Sequence, residues 1–71
     1  MKYVMVNHFR PVIFDDDLPH NEFENLPGRI TSAGFVKMNE GNYECYGKSL
    51  SLGLEPAPRD TEIINRFLKG E

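Results

Sequence analysis

The apolar residues of this chain come in short runs separated by turn signals, and the spacing within each run predicts its element. Lys2 to Phe9, KYVMVNHF, is rich in β-branched and aromatic residues and predicts a strand. Arg10-Pro11 interrupts it, and proline cannot donate to a ladder. The short run Val12-Ile13-Phe14 is then a second strand or a continuation past a bulge; the hairpin, turning near Phe9-Arg10, is preferred. Asp15-Asp16-Asp17-Leu18-Pro19 has the chemistry of a helix entrance: Asp caps, Pro suits the first turn, and acids suit the positive end of the dipole. A helix is expected through His20 to Leu26, with Leu18, Phe23 and Leu26 on one face and Pro27-Gly28 as its end.

Ile30 to Met38 and Tyr43 to Leu50 or beyond predict a hairpin reversing at Asn39-Glu40-Gly41-Asn42. Partners in this register sum to 81. One face pairs Lys37 with Glu44, Phe35 with Tyr46 and Ala33 with Lys48; the other pairs Met38 with Tyr43, Val36 with Cys45, Gly34 with Gly47 and Ser32 with Ser49. The first face gains an opposite-charge pair and an aromatic pair, each worth roughly 0.2–1 kcal/mol, which a one-residue slip would destroy. Glu55-Pro56-Ala57-Pro58 is a stiff connector. Asp60 is the expected N-cap of a last helix whose Ile63, Ile64, Phe67 and Leu68 form an amphipathic stripe, closed by Gly70.

The predicted order is β-β-α-β-β-α, an α+β fold with a four-stranded, mostly antiparallel sheet and two helices on one face. The Val36/Cys45/Met38/Ile30 face is assigned to the core, with Gly34 opposite Gly47 as a groove that lets a helix approach. The Phe35/Tyr46 face, with Lys37, Glu44 and Lys48, is left partly open.

Composition narrows the function more than it defines it. The chain has 71 residues, enough for one small domain over 1–71, and 39% are hydrophobic and 27% charged, as in a globular protein. Ordering it costs roughly 1.5 kcal/mol per residue, so burial must offset on the order of 100 kcal/mol. Small domains of this length often gain stability by association. A net charge of −3 and scattered basic residues argue against nucleic acid as a partner. A single cysteine precludes an intrachain disulfide, and no apolar run is long enough for a signal peptide or a membrane span. A cytoplasmic protein without membrane association is expected.

Three patterns have a chemical reading, and each has a simpler one. Gly47-Lys48-Ser49 matches the end of a phosphate-binding loop. That loop needs a glycine where Asn42 stands and a helix directly after it, whereas Leu50-Ser51-Leu52-Gly53 reads as extended. Cys45 with His8 or His20 has the groups of a nucleophile and its base, but the register points Cys45 into the core beside Val36. Asp15, Asp16, Asp17 and His20 contain metal-ligand groups, but Pro19 occupies the third ligand position of a calcium loop, and capping explains the run. No cofactor, metal or catalytic residue is therefore assigned.

The strings Ser32-Ala33-Gly34-Phe35-Val36, Cys45-Tyr46-Gly47-Lys48-Ser49-Leu50-Ser51-Leu52-Gly53-Leu54 and Pro58-Arg59-Asp60 with Ile63-Ile64 resemble a group of small uncharacterised proteins of bacteria and their phages and prophages. The resemblance covers the second half of the chain well and the first half in outline. It implies one small domain of bacterial or phage origin and supplies no catalytic residue. The expectation is a small non-enzymatic protein-interaction module that self-associates, using Phe35, Tyr46, Lys37, Glu44 and Lys48. The alternatives are a phage-type inhibitor or modulator of a host protein, and a small-ligand or enzymatic role at residues 45–49.

Overall fold

The structure is a computed structural model and describes every residue except Glu24 and Glu71. Four strands, β1 (Lys2–Val6), β2 (Arg10–Phe14), β3 (Ile30–Asn39) and β4 (Asn42–Tyr46), precede one helix, α1 (Asp60–Lys69). All neighbouring strands are antiparallel, in the order β2-β1-β3-β4. The fold is of the α+β class.

The first hairpin reverses through Asn7 and His8, both left-handed with φ of 55° and 70°, and Phe9 N–H donates to the Val6 carbonyl at 3.2 Å. Val6 pairs with Arg10, so the loop has three residues, and two successive positive φ values within it match the twist of antiparallel strands. The second hairpin uses the same device at Glu40 (φ 53°) and Gly41 (φ 84°). Its register is the expected one from Asn39 opposite Asn42 to Phe35 opposite Tyr46.

The central strands β1 and β3 form the core. Tyr3, Met5 and Val36 pack with Ile64 of α1 on one face of the sheet. Val4, Phe14 and Ala33 pack with Phe23, Leu26, Leu52 and Leu54 on the other.

The expected two helices on one face are therefore corrected: one α-helix covers the Val36 face, and the opposite face is covered by a 3-10 turn, His20–Phe23, and by the loop after β4. The helix expected over 20–26 includes Glu24, which lies outside the described residues. The turn is drawn to its face by rings: Phe23 lies 4.3 Å from Phe14 and His20 lies 5.5 Å from it, centroid to centroid.

Three further corrections concern the core face. Ile30 belongs to the Val4 cluster, because the register between β1 and β3 shifts between Met5 and Val6 and turns over the face of β3 beyond that point. Met38 is mostly exposed and is not among the residues packed with Ile64 of α1. The pairs Gly34–Gly47, Ala33–Lys48 and Ser32–Ser49 do not form, because the chain leaves the sheet at Gly47 (φ 71°). A Cβ on Gly47 would stand 2.9 Å from Cδ2 of Phe35, so both backbone and space require glycine there. Ser49 then pairs with Leu54, and Ala33 N–H donates to the Glu55 carbonyl at 3.4 Å, so Glu55 continues the edge that β4 vacated. Pro56, rather than a helix, fills the space over Gly34.

Candidate functional site

Two regions carry the chemistry of this molecule, one on each face of the sheet. The first is the aromatic face. Phe35 and Tyr46 stand opposite each other across β3 and β4 with centroids 5.6 Å apart and ring planes tilted by 32°. Behind Phe35 the edge-on His20 ring lies at 5.4 Å, followed by Phe14 and Phe23. The result is a string of five rings running from the core to the surface, where Tyr46 is 45% exposed. His20 is nearly fully buried, with Nε2 2.7 Å from the Gly34 carbonyl oxygen. A carbonyl only accepts, so Nε2 carries the proton.

Cations sit on the outer rings. Lys37 Nζ is 5.2 Å from the Tyr46 centroid, and Lys2 Nζ, which donates to the Leu18 carbonyl at 2.9 Å, is 5.9 Å from the Phe35 centroid. Contacts of this kind are worth roughly 0.5–1 kcal/mol where exposed. Glu44 stands opposite Lys37 but accepts from Asn39 Nδ2 at 3.1 Å. Four of the five expected residues, Phe35, Tyr46, Lys37 and Glu44, are thus placed on adjoining strands. Lys48 is not among them: it lies beyond Gly47 and lines a second hollow with Thr31 and Pro56.

The second region lies between α1 and the β1–β2 turn. A cleft of about 770 Å³ has Phe9, Phe67, Arg59, Arg66, Ser32 and Asp60 among its lining. Asp60 is 2% exposed and is not the helix cap expected for it. Its Oδ2 accepts from Tyr3 O–H at 2.6 Å, from Ser32 O–H at 2.6 Å and from Ala57 N–H at 2.9 Å, while its own N–H donates to the Ala57 carbonyl at 3.0 Å. A carboxylate taking three donors is how a buried charge becomes tolerable. Burial, reinforced by Asp60, holds the Tyr3 phenol far above its ordinary range, so it stays a donor.

No single residue in Tyr3, Ser32 or Asp60 signals this knot in the sequence. The only hint is an acid two positions after the proline of a stiff connector. Among the described residues, no group of three or more His, Cys, Asp and Glu side chains is placed to hold a metal ion. His20 is turned inward to Gly34, and Asp16 pairs with the N-terminal ammonium at 3.2 Å. Cys45 is half-buried beside the Tyr3 cluster, and burial raises its thiol pKa against the lowering effect of Thr61 and Tyr3. A raised thiol is a poor nucleophile near neutrality.

No helix among the described residues is long and apolar enough to cross a membrane. No protein-family model, curated protein or solved structure matches the chain.

Proposed function

We propose that this chain is a small non-enzymatic interaction module that self-associates and presents the Tyr46 corner to a protein partner. The observation that supports the reading is the ring string. Tyr46 is the exposed end of five contiguous rings anchored in the core, with Lys37 over its face. An aromatic held in place before contact loses little conformational entropy on binding, and tyrosine is enriched among the anchors of protein interfaces. Glu44 and Lys37 supply a charged rim of both signs.

The test compares the wild type with Tyr46→Ala and Lys37→Glu, both surface changes, as baits in affinity capture from a bacterial lysate. Proteins recovered by the wild type and lost with both variants support the reading. Equal recovery by all three baits, with unchanged circular dichroism, refutes it.

A further inference from the structure

The two edges of the sheet are not alike, and the difference carries one more inference, which rests on the self-association proposed above. The β4 edge is closed. Its outward backbone groups at Tyr43 are taken by Asn65, which accepts from the Tyr43 N–H at 2.8 Å and donates to its carbonyl at 2.8 Å. Cys45 N–H donates to Thr61 Oγ1 at 3.2 Å. Along the β2 edge, among the described residues, no side chain takes the outward backbone groups of Ile13, and Pro11 is itself buried. Met5 faces Pro11 in the β1–β2 ladder, and Pro11 has no N–H, so the hydrogen-bonded pairs are Val4–Val12 and Val6–Arg10. Pro11 and Ile13 therefore turn their backbone groups outward.

We propose that two copies of this chain join through the β2 edge, across a two-fold axis at Ile13, into one continuous antiparallel sheet. In the register that places Ile13 against Ile13 of the partner subunit, each Ile13 N–H meets the other's carbonyl. Each Asp15 N–H meets the Pro11 carbonyl of the partner subunit. The remaining position is the one that proline fits: the Asp15 carbonyl already accepts from Leu18 N–H at 3.1 Å, and Pro11 has no donor to offer it. Every outward group from Pro11 to Asp15 thus has a partner.

Side chains agree with this register. The half-buried Ile13 pair comes together on the α1 face. On the other face Arg10 lies opposite Asp16 of the partner subunit, and next to Asp17, twice by symmetry. Asp16 and Asp17 are exposed in the turn after β2, where Asp16 also meets its own N-terminal ammonium at 3.2 Å, and their charge complements that of Arg10, whose Nη2 donates to the Pro27 carbonyl at 3.2 Å in the single chain. The contact is isologous and closes at two copies, because the outer edges of the pair are the β4 edges that Thr61 and Asn65 seal. Both Tyr46 corners stay free at those outer edges, so the pair is bivalent toward its protein partner.

Sedimentation velocity over a concentration series, with amide exchange read residue by residue, tests this. The wild type is expected to dimerise, and Ile13 and Asp15 amides to gain protection with concentration, while Tyr43 and Cys45 amides stay protected throughout. Ile13→Pro removes the outward donor at an edge position that tolerates proline, and is expected to raise the dissociation constant tenfold or more. Arg10→Glu and Asp16→Arg are each expected to weaken the homodimer, and an equimolar mixture of the two to restore it.

A protein that stays monomeric up to about 0.5 mM overturns the inference, as does a dimer indifferent to all three changes. A dimer lost with Tyr46→Ala but not with Ile13→Pro overturns the β2 contact and leaves the proposed function standing. Tyr46-dependent capture by a monomer overturns the β2 contact and the self-association, and leaves the partner-binding part of the proposed function standing.

Discussion

Asp60→Ala is the change with the most to say about how this chain holds together. It removes one acceptor oxygen and orphans three donors: the hydroxyls of Tyr3 and Ser32, both in fully buried side chains, and the Ala57 N–H. A buried donor left without a partner costs roughly 1–3 kcal/mol. Two buried hydroxyls plus a half-buried amide that water partly reaches give about 3–6 kcal/mol. At roughly 0.05–0.15 kcal/mol per residue, a domain of 71 residues has only about 4–11 kcal/mol to lose. Asp60→Ala is therefore expected to lower Tm by at least about 12 °C, since 1 kcal/mol moves a domain of this size by roughly 4–8 °C. Asp60→Asn keeps an acceptor and loses only the charge, which is about 1 kcal/mol per bond and 1–3 kcal/mol in all. Urea unfolding followed by circular dichroism measures both. The sharper measurement is a double-mutant cycle with Tyr3→Phe. That change costs about 1–2 kcal/mol in the wild type but is neutral or stabilising beside Asp60→Ala, where it removes an orphaned hydroxyl. If Tyr3→Phe costs the same in both backgrounds to within about 0.5 kcal/mol, the knot is not the coupled unit described here.

Alkaline pH attacks the same neighbourhood. The Tyr3 phenol and the Cys45 thiol are both raised above their ordinary 10.0 and 9.0, so the unfolded chain releases these protons first. Their contribution to stability is full below about pH 9 and falls as pH rises, by up to about 1.4 kcal/mol per pH unit for each group. Urea midpoints are expected to drop steeply between about pH 9 and 11, less so in Tyr3→Phe, and a flat profile would count against both shifts. Asn65→Leu strips the Tyr43 backbone of its side-chain partners and also removes a bond to the Thr61 carbonyl. It is expected to cost about 1–2 kcal/mol, speed Tyr43 amide exchange and promote edge-to-edge aggregation, read by light scattering. Gly47→Ala must place a Cβ against the Phe35 ring at a left-handed φ, and is expected to cost about 1–3 kcal/mol in urea unfolding.

The register of the second hairpin was legible because its evidence is local. Glu40-Gly41 prescribes the turn, and the Phe35–Tyr46 and Lys37–Glu44 pairs agree with it. Helix α1 and its Gly70 terminus were legible for the same reason: periodicity and caps are read within a few residues. What escaped were consequences of contacts far apart in sequence. The bulge that sends Ile30 to the other face depends on where β1 meets β3. The inward turn of His20 depends on Gly34 and on rings from two strands. Asp60 reads as a cap at a helix entrance, and only the fold brings Tyr3 and Ser32 to it. Polar residues with a plausible local role conceal their long-range one.

The buried knot and the sealed edge are one device. Thr61 and Asn65 are four residues apart on α1, a rise of about 6.0 Å, and the outward groups they meet at Cys45 and Tyr43 are two residues apart on β4, about 6.6 Å. The helix and strand periods therefore match along the edge, and Lys69, one further turn on, donates to Asn42 Oδ1 at 2.6 Å. Such a match holds at only one phase. Apolar contacts between Ile64 and the Tyr3/Met5/Val36 surface are non-directional and would tolerate a slide of the helix. Asp60 does not tolerate one: its three donors come from β1, from β3 and from the turn before the helix, and together they fix where α1 begins. If that is the role of the knot, Asp60→Ala should accelerate exchange of the Tyr43 and Cys45 amides more than its effect on global stability accounts for, although neither residue touches Asp60. Exchange that rises only in proportion to the loss of global stability would show that the helix keeps its phase from apolar packing alone.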